Sequence, residues 1–184
     1  MINFEHAFLN APVGLCVTRH RVMQACNHEL ATMFGYTLAT MREQSLEMLY
    51  PSVEEFERIG QRILPILSQT GRYADDRIMR RANGELFWCH VSGNTLDTNN
   101  AFAAAIWSFE DLSKVRAVTV NLSPREREVA SLLATGMTSK EIARSLGLSP
   151  RTVEMYRANL LTKYAVSSST ELIQKLLLNG HQSI

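Results

Sequence analysis

The stretch from Ser149 to Tyr164 carries the side chains that a helix needs to read the edges of base pairs. It begins with serine and proline, which are typical of the cap and the first position of a helix. At about 100° per residue the apolar side chains fall on one narrow stripe, formed by Val153, Tyr156, Leu160 and Tyr164. The opposite face carries side chains that can reach into a DNA groove, namely Arg151, Met155, Ala158 and Thr162, flanked by Glu154 and Asn159.

The residues before this stretch complete a larger unit. Residues 137–148 predict a short helix that ends at Gly147, because glycine readily adopts the left-handed conformation that follows a helix end. A helix, a tight glycine turn and a second helix form the helix-turn-helix pattern, whose second helix enters the major groove. Further helices are predicted upstream over 122–134 and downstream over 169–178. The sequence therefore predicts an all-α four-helix domain at the C-terminal end.

Residues 122–178 resemble the DNA-binding domain of LuxR/FixJ-type (GerE-like) bacterial transcription regulators. The matching motifs keep their spacing without a gap, and they are LSPREREV at 122–129, KEIA at 140–143, SPRTVE at 149–154 and RAN at 157–159. The resemblance implies that Glu154, Met155 and Ala158 face the bases. It also implies that Arg151 and Thr152 lie near the start of the reading helix. Lys140 and Lys163 fall where the family contacts phosphate.

Arg157 has two interpretations. It lies at about 40° from Val153, beside the apolar stripe. Its guanidinium therefore either reaches a phosphate or pairs with an acid of its own domain, such as Glu128 or Glu141, and the internal pair is favoured. The predicted DNA-binding residues are Lys140, Arg151, Thr152, Glu154, Met155, Arg157, Ala158, Asn159 and Lys163.

The first 112 residues alternate between extended and helical patterns. The pattern predicts two short strands over 14–18 and 22–27, small helices, and a longer helix over 53–67 that Pro65 should kink or end. A hairpin with an Asn-Gly turn and a last strand over 101–110 follow. This order, together with the segments 11–15, 34–36 and 80–88, resembles a PAS domain. The resemblance implies an α+β fold with an antiparallel sheet and small helices.

These patterns divide the chain into a PAS sensor domain over 1–112, a linker over 113–121 and a LuxR-type helix-turn-helix domain over 122–184.

The net charge of +1 is unevenly distributed, because residues 123–184 hold eight Lys and Arg against five acids and are therefore mildly basic. Such a balance suits phosphate binding. No run of 18 apolar residues and no secretion signal occur, and the three cysteines lack CxxC spacing. These features favour a cytoplasmic protein without a membrane span and with reduced thiols.

A PAS sheet and its helices enclose a cavity that suits a small molecule. Haem is disfavoured because the long helix contains no histidine, which leaves only the isolated His28 and His90. Flavin is disfavoured because the Asn-Cys-Arg motif of the photosensors is absent. Cys16 and Cys89 are expected to be small buried side chains rather than redox sensors. A small organic ligand or no ligand remains, with the candidate lining Cys16, Ile63, Leu67, Met79, Phe87, Cys89 and Trp107.

The sequence shows no catalytic constellation, so an enzyme is not expected. The favoured hypothesis is a homodimeric transcription regulator whose PAS domain controls binding of the LuxR-type domain to a double-stranded DNA operator. RNA polymerase is a further candidate partner. Two alternatives stay open: a PAS interaction module in which DNA binding is secondary, and a haem or redox sensor with the same output.

Overall fold

The computed structural model describes residues 3–115 and 120–178. The N-terminal part contains an antiparallel sheet in the order β2-β1-β5-β4-β3. Its strands are β1 (Gly14–Arg19), β2 (Val22–Cys26), β3 (Arg72–Arg80), β4 (Leu86–Thr95) and β5 (Ala105–Asp111). Its helices are α1 (Phe4–Leu9), α2 (His28–Phe34), α3 (Leu38–Met41) and α4 (Val53–Thr70), with 3₁₀ turns at Leu46–Leu49 and Thr98–Asn100. This architecture confirms the predicted α+β fold class.

The inner face of the sheet and helices α2 and α4 enclose the core of the N-terminal part. Side chains alternate along β4, so Phe87, Cys89 and Val91 point inward and are buried. At the next inward position, Gly93, a Cβ atom would lie 2.3 Å from ring atoms of Trp107. Glycine at this position therefore allows the indole ring to lie directly across β4.

Helix α4 continues past Pro65 to Thr70, so Pro65 does not end the helix, which runs three residues beyond the predicted boundary at residue 67. Pro65 lies on the exposed face, whereas Ile63 and Leu67 on either side of it are buried in the core. Burial of these neighbours offsets the single backbone hydrogen bond that proline removes. The helix ends instead at Gly71, whose φ of 73° is in the left-handed region.

The last strand also differs from its prediction. Strand β5 begins at Ala105 rather than at Ala101. The 3₁₀ turn and a hydrogen bond from the backbone N–H of Ala103 to the carbonyl of Asn100 (2.8 Å) hold the preceding residues in a turn. Within the predicted linker, residues 116–119 lie outside the described residues, as do residues 179–184 of the predicted C-terminal domain.

The C-terminal part consists of four helices, α5 (Pro124–Ala134), α6 (Ser139–Leu146), α7 (Pro150–Lys163) and α8 (Ser169–Leu178). Helices α5 and α6 each begin with a capping box, in which the cap hydroxyl and a glutamate three residues later exchange hydrogen bonds with the backbone. The four predicted helices are thus confirmed. Across residues 3–115 and 120–178, none of the helices has the length and apolar character needed to cross a membrane.

Helix α5 is buried on all sides, because it packs against its own domain and against the sheet. Ile78 and Trp88, on the outer face of the sheet, belong to the same apolar cluster as Val129 and Leu133 of α5. The hydroxyl of Ser131 donates a hydrogen bond to a backbone carbonyl of β3. The two domains therefore share a continuous apolar cluster at a junction formed by α4, β3 and α5.

Ion pairs border this apolar contact. Arg127 donates from Nε to Oε2 of Glu55 (3.0 Å), and a second N–H of the guanidinium reaches the other carboxylate oxygen. Arg58 Nε lies 3.1 and 3.2 Å from the two carboxylate oxygens of Glu128. Ion pairs thus link charged side chains of the two domains across the junction, an arrangement that the sequence patterns did not predict.

Candidate nucleic-acid interface and ligand cavity

Helices α6 and α7 form a helix-turn-helix around a single glycine. Gly147 has a φ of 63°, and the backbone N–H of Leu148 then donates to the carbonyl of Ala143 (2.8 Å). The left-handed turn redirects the chain so that Val153 and Leu160 of α7 are buried against the domain core. The opposite face of α7 is consequently left open to solvent.

The exposed face of α7 contains most of the predicted base-reading residues. Arg151, Glu154, Met155, Ala158 and Asn159 are all exposed. Met155 is 52% exposed, which is a high value for a large apolar side chain. A side chain of this type can contact a thymine methyl group in the major groove.

Thr152 has a second structural role at the start of α7. Its backbone N–H donates to the hydroxyl of the cap residue Ser149 (3.0 Å), and the two hydroxyls lie 2.8 Å apart. Thr152 is half-buried, so it helps to form the helix start as well as lying beside the exposed face.

The two lysines that were predicted to contact phosphate differ in their surroundings. Lys140 is exposed in the first turn of α6. Lys163 instead donates to Oε2 of Glu126 (2.6 Å) and to the backbone carbonyl of Asn121 (3.0 Å). Burial raises the pKa of Glu126, but hydrogen bonds from Lys163 and from Ser123 lower it by more, so this carboxylate is ionised at neutral pH. Lys163 thus takes part in an internal ion pair, and its two hydrogen bonds use two of the three N–H donors of the ammonium group.

The prediction that Arg157 pairs with Glu128 or Glu141 is wrong. Its two terminal nitrogens donate to the hydroxyls of Ser139 and Ser169, both at 2.6 Å, and Glu154 lies 3.8 Å away. The predicted partners are occupied elsewhere, because Glu128 binds arginines at the junction and Glu141 caps α6. The interpretation of Arg157 as an internal contact remains, with two serine hydroxyls as its hydrogen-bond partners and Glu154 as its nearest acid.

A small cavity lies between the inner face of the sheet and the helices. Its volume is about 10 Å³, which has room for at most one water molecule. Ile63 and Trp107 are the predicted lining residues that border it, whereas Cys16, Leu67, Met79, Phe87 and Cys89 are buried elsewhere in the same core. The residues that line the cavity are Arg21, Leu46, Tyr50, Ile63, Val91, Phe102, Trp107 and Phe109.

Arg21 is the lining residue that the sequence patterns missed. It follows β1 at a φ of 65°, and its guanidinium carbon lies 3.3 Å from the centre of the Phe56 ring. Nη2 also donates to the backbone carbonyl of Phe56 (2.6 Å). Burial lowers the pKa of Arg21, although nearby Tyr50 and Glu57 act in the opposite direction. A cation at the cavity wall was not foreseen because the Arg-His-Arg sequence is typical of a solvated turn.

Cys16, Cys89, His28 and His90 all lie outside the lining of this cavity. Burial raises the pKa of the Cys16 thiol well above its usual range and that of Cys89 to about 12, so both thiols are protonated at neutral pH. His28 is exposed on α2. His90 lies on the outer face of the sheet, with Nδ1 2.7 Å from Oδ1 of Asp76. Neither histidine lines the cavity.

Comparisons with known families agree with this two-part architecture. Residues 10–114 match the PAS domain model, and residues 120–176 match the model of bacterial regulatory proteins of the luxR family. The chain is 48% identical over 68 residues to the transcriptional regulatory protein FixJ of Azorhizobium caulinodans. This aligned region covers 37% of this chain and 32% of that protein. The chain spans less than a third of the length of each of three curated relatives that it matches, namely 20%, 32% and 28%.

Two solved structures extend the comparison. One is the PAS domain, in complex with ethanol, of a transcriptional regulator in the LuxR family from Burkholderia thailandensis. It is 54% identical, covers 61% of this chain and 99% of that chain, and has a TM-score of 0.60. The VqmA dimer of Vibrio cholerae covers 98% of this chain and 89% of that chain at 23% identity, with a TM-score of 0.56, and so shows a similar fold. The chain therefore belongs to the PAS domain family, and a luxR-family regulatory domain follows its PAS domain.

Proposed function

We propose that this protein is a bacterial transcription regulator whose PAS domain controls the binding of its helix-turn-helix to double-stranded DNA. The observation that carries the proposal is the exposed face of α7, where Arg151, Glu154, Met155, Ala158 and Asn159 project from a helix held by a buried stripe. This is the arrangement that a major-groove reader requires. The FixJ relative is a transcriptional regulatory protein, and contact with RNA polymerase belongs to the same proposal.

The regulator is proposed to act as a homodimer. Phe4 of α1 is 82% exposed, and α1 buries none of its residues within the chain. On α8, Leu172 and Leu176 are buried in the domain core, whereas Leu177 is 45% exposed. Apolar side chains in these positions are available to a second copy of the chain. Two paired effector domains would bind the two halves of a two-fold operator and combine their contact energies.

The input to the PAS domain is proposed to be a small organic ligand. The cavity of about 10 Å³ is far below the several hundred Å³ (about 300–1,000 Å³) of a usual ligand pocket, so a ligand must displace lining side chains. The PAS domain from Burkholderia thailandensis was solved with ethanol, a molecule of suitably small size. Visible absorption of the purified protein tests the alternatives, because bound haem or flavin colours the protein.

The DNA-binding proposal is tested by selecting genomic fragments on the purified protein and measuring their affinities as a function of salt. We expect Lys140→Ala to weaken all bound sequences equally and to lower the log–log salt slope by about 0.9, because one phosphate contact is lost. Met155→Ala should instead reduce discrimination at one base pair by about 1–3 kcal/mol. Arg42→Ala, an exposed arginine of the PAS domain, serves as the control.

Two results would contradict the proposal. One is a failure of the selection to enrich any fragment above the genomic background. The other is a Met155→Ala protein that retains the full sequence preference while its thermal stability falls, because Met155 would then pack within its domain rather than read DNA.

A further inference from the structure

A cleft opens at the junction of the two domains, away from the reading face of α7 and from the PAS cavity. We name it the junction cleft, and its volume is about 390 Å³. Helix α4 of the PAS domain forms one wall, and α5 and α6 of the helix-turn-helix domain form the other. The lining residues are Arg58, Gln61, Arg62, Arg125, Glu128, Ser145 and Leu146.

Arginines outnumber carboxylates at this place. Among the residues that the structure describes, the ion-paired side chains at and beneath the cleft comprise five guanidinium groups and three carboxylates, a surplus of two positive charges. They are Arg58, Arg62, Arg77, Arg125 and Arg127 with Glu55, Asp75 and Glu128. Glu54 also acts on Arg58, but this carboxylate is exposed to solvent, which screens its charge. Glu128 and Asp75 are each shared by two arginines, so the positive charge at the cleft is only partly balanced.

The hydrogen bonding of these arginines is also incomplete. Within residues 3–115 and 120–178, Arg58 Nη2 and Arg62 Nε and Nη1 are buried and have no hydrogen-bond partner. The Arg62 side chain is only 10% exposed, and its third nitrogen, Nη2, donates to Asp75 Oδ2 (3.0 Å). A buried donor without an acceptor costs about 1–3 kcal/mol, and more when the group is charged. At the cleft, N–H donors therefore outnumber acceptor atoms, and positive charge exceeds negative charge.

A water molecule alone does not meet both needs. Water in the cleft would accept hydrogen bonds from the arginines but would leave the surplus charge unchanged. A small oxyanion supplies acceptors and charge together, and phosphate and carboxylate both match the fork of a guanidinium group.

We propose that the junction cleft binds a small doubly charged oxyanion, either a phosphate or a dicarboxylate, between Arg58 and Arg62 of one domain and Arg125 of the other. Because the ligand contacts both domains, it binds the docked arrangement more tightly than a separated one and shifts the population toward docking. The site goes beyond the proposed DNA-binding function and does not depend on it.

The proposal is tested by isothermal titration calorimetry on the full chain, with inorganic phosphate and succinate as separate probes at constant ionic strength. We expect one saturable site per chain for at least one probe, and the probe that binds identifies the chemical class. Arg62→Gln and Arg125→Gln should each weaken binding by about tenfold or more, because each removes a charged donor. Arg125 lies at the rim of the cleft, so its substitution tests the site even if Arg62→Gln impairs folding.

Arg42→Gln is the matched control, because this exposed arginine of the PAS domain lies outside the cleft. Binding should be unchanged in this variant. The proposal is overturned if neither probe binds, if binding survives in both cleft variants, or if Arg42→Gln removes it while Arg125→Gln does not.

Discussion

At the scale of single residues, Arg157 connects α7 to the two helices that flank it. Its guanidinium binds Ser139 at the start of α6 and Ser169 at the start of α8. The side chain thus fixes the orientation of α7 from a position beside its buried stripe. The residue lies next to the proposed DNA-reading face, but its contacts are with residues of its own domain.

We expect Arg157→Ala to lower the free energy of unfolding by about 1–3 kcal/mol, because two charged hydrogen bonds are lost. Thermal or urea unfolding of the full chain measures the effect. Arg151→Ala, an exposed neighbour on the same helix, should change stability by less than about 0.5 kcal/mol. A stable Arg157→Ala protein whose DNA binding shows a shallower salt slope would instead assign Arg157 to a phosphate.

At the scale of elements, α1 and α8 each leave an apolar side chain without cover inside the chain. A short helix such as α1 has little stability of its own and normally requires packing against another surface. Substitution of Phe4 is therefore the most direct test of the proposed dimer, because α1 contributes no buried residue to its own domain.

We expect Phe4→Asp to raise the dimer dissociation constant by about tenfold to a hundredfold, since a buried phenylalanine contributes roughly 1.5–3 kcal/mol. Sedimentation velocity over a concentration series measures this change. Glu5→Ala, at the next position on α1, is the control and should sediment like the unmodified protein. The dimer proposal fails if the unmodified chain is a monomer both free and on DNA.

At the scale of the whole molecule, the buried pair of Glu55 and Arg127 joins the two domains beside a continuous apolar cluster. Removal of one partner from a buried ion pair leaves the other charge unpaired, which typically costs about 3–5 kcal/mol. Separation of the domains relieves that cost because water then solvates the free arginine.

We therefore expect Glu55→Gln to shift the chain toward undocked conformations, with a larger radius of gyration in small-angle X-ray scattering. Glu54→Gln is a closely matched control, because Glu54 is adjacent in sequence and exposed, whereas Glu55 is buried. Identical scattering from both variants and the unmodified chain would show that the pair does not hold the domains together.

The types and order of the elements were predictable from the sequence, whereas the end of α4 and the start of β5 were not. The boundaries of the helix-turn-helix are set by Gly147, Ser149 and Pro150. These signals are local in the sequence, so they can be recognised without knowledge of the fold. The alternation of apolar residues likewise identified the inward side chains of β4. The exposed face of α7 followed directly from the buried stripe opposite to it.

The tertiary structure decided which long-range partners each charged side chain takes. Arg127 lies in the motif that identified the luxR-type domain, yet its partner Glu55 is on a helix of the other domain. Arg157 was expected to contact a phosphate or an acid such as Glu128 or Glu141, but Glu128 pairs instead with Arg58 and Arg125. Such pairings depend on distances between segments far apart in the chain, and periodicity contains no information about them. The junction cleft arises for the same reason, because its two walls come from separate domains.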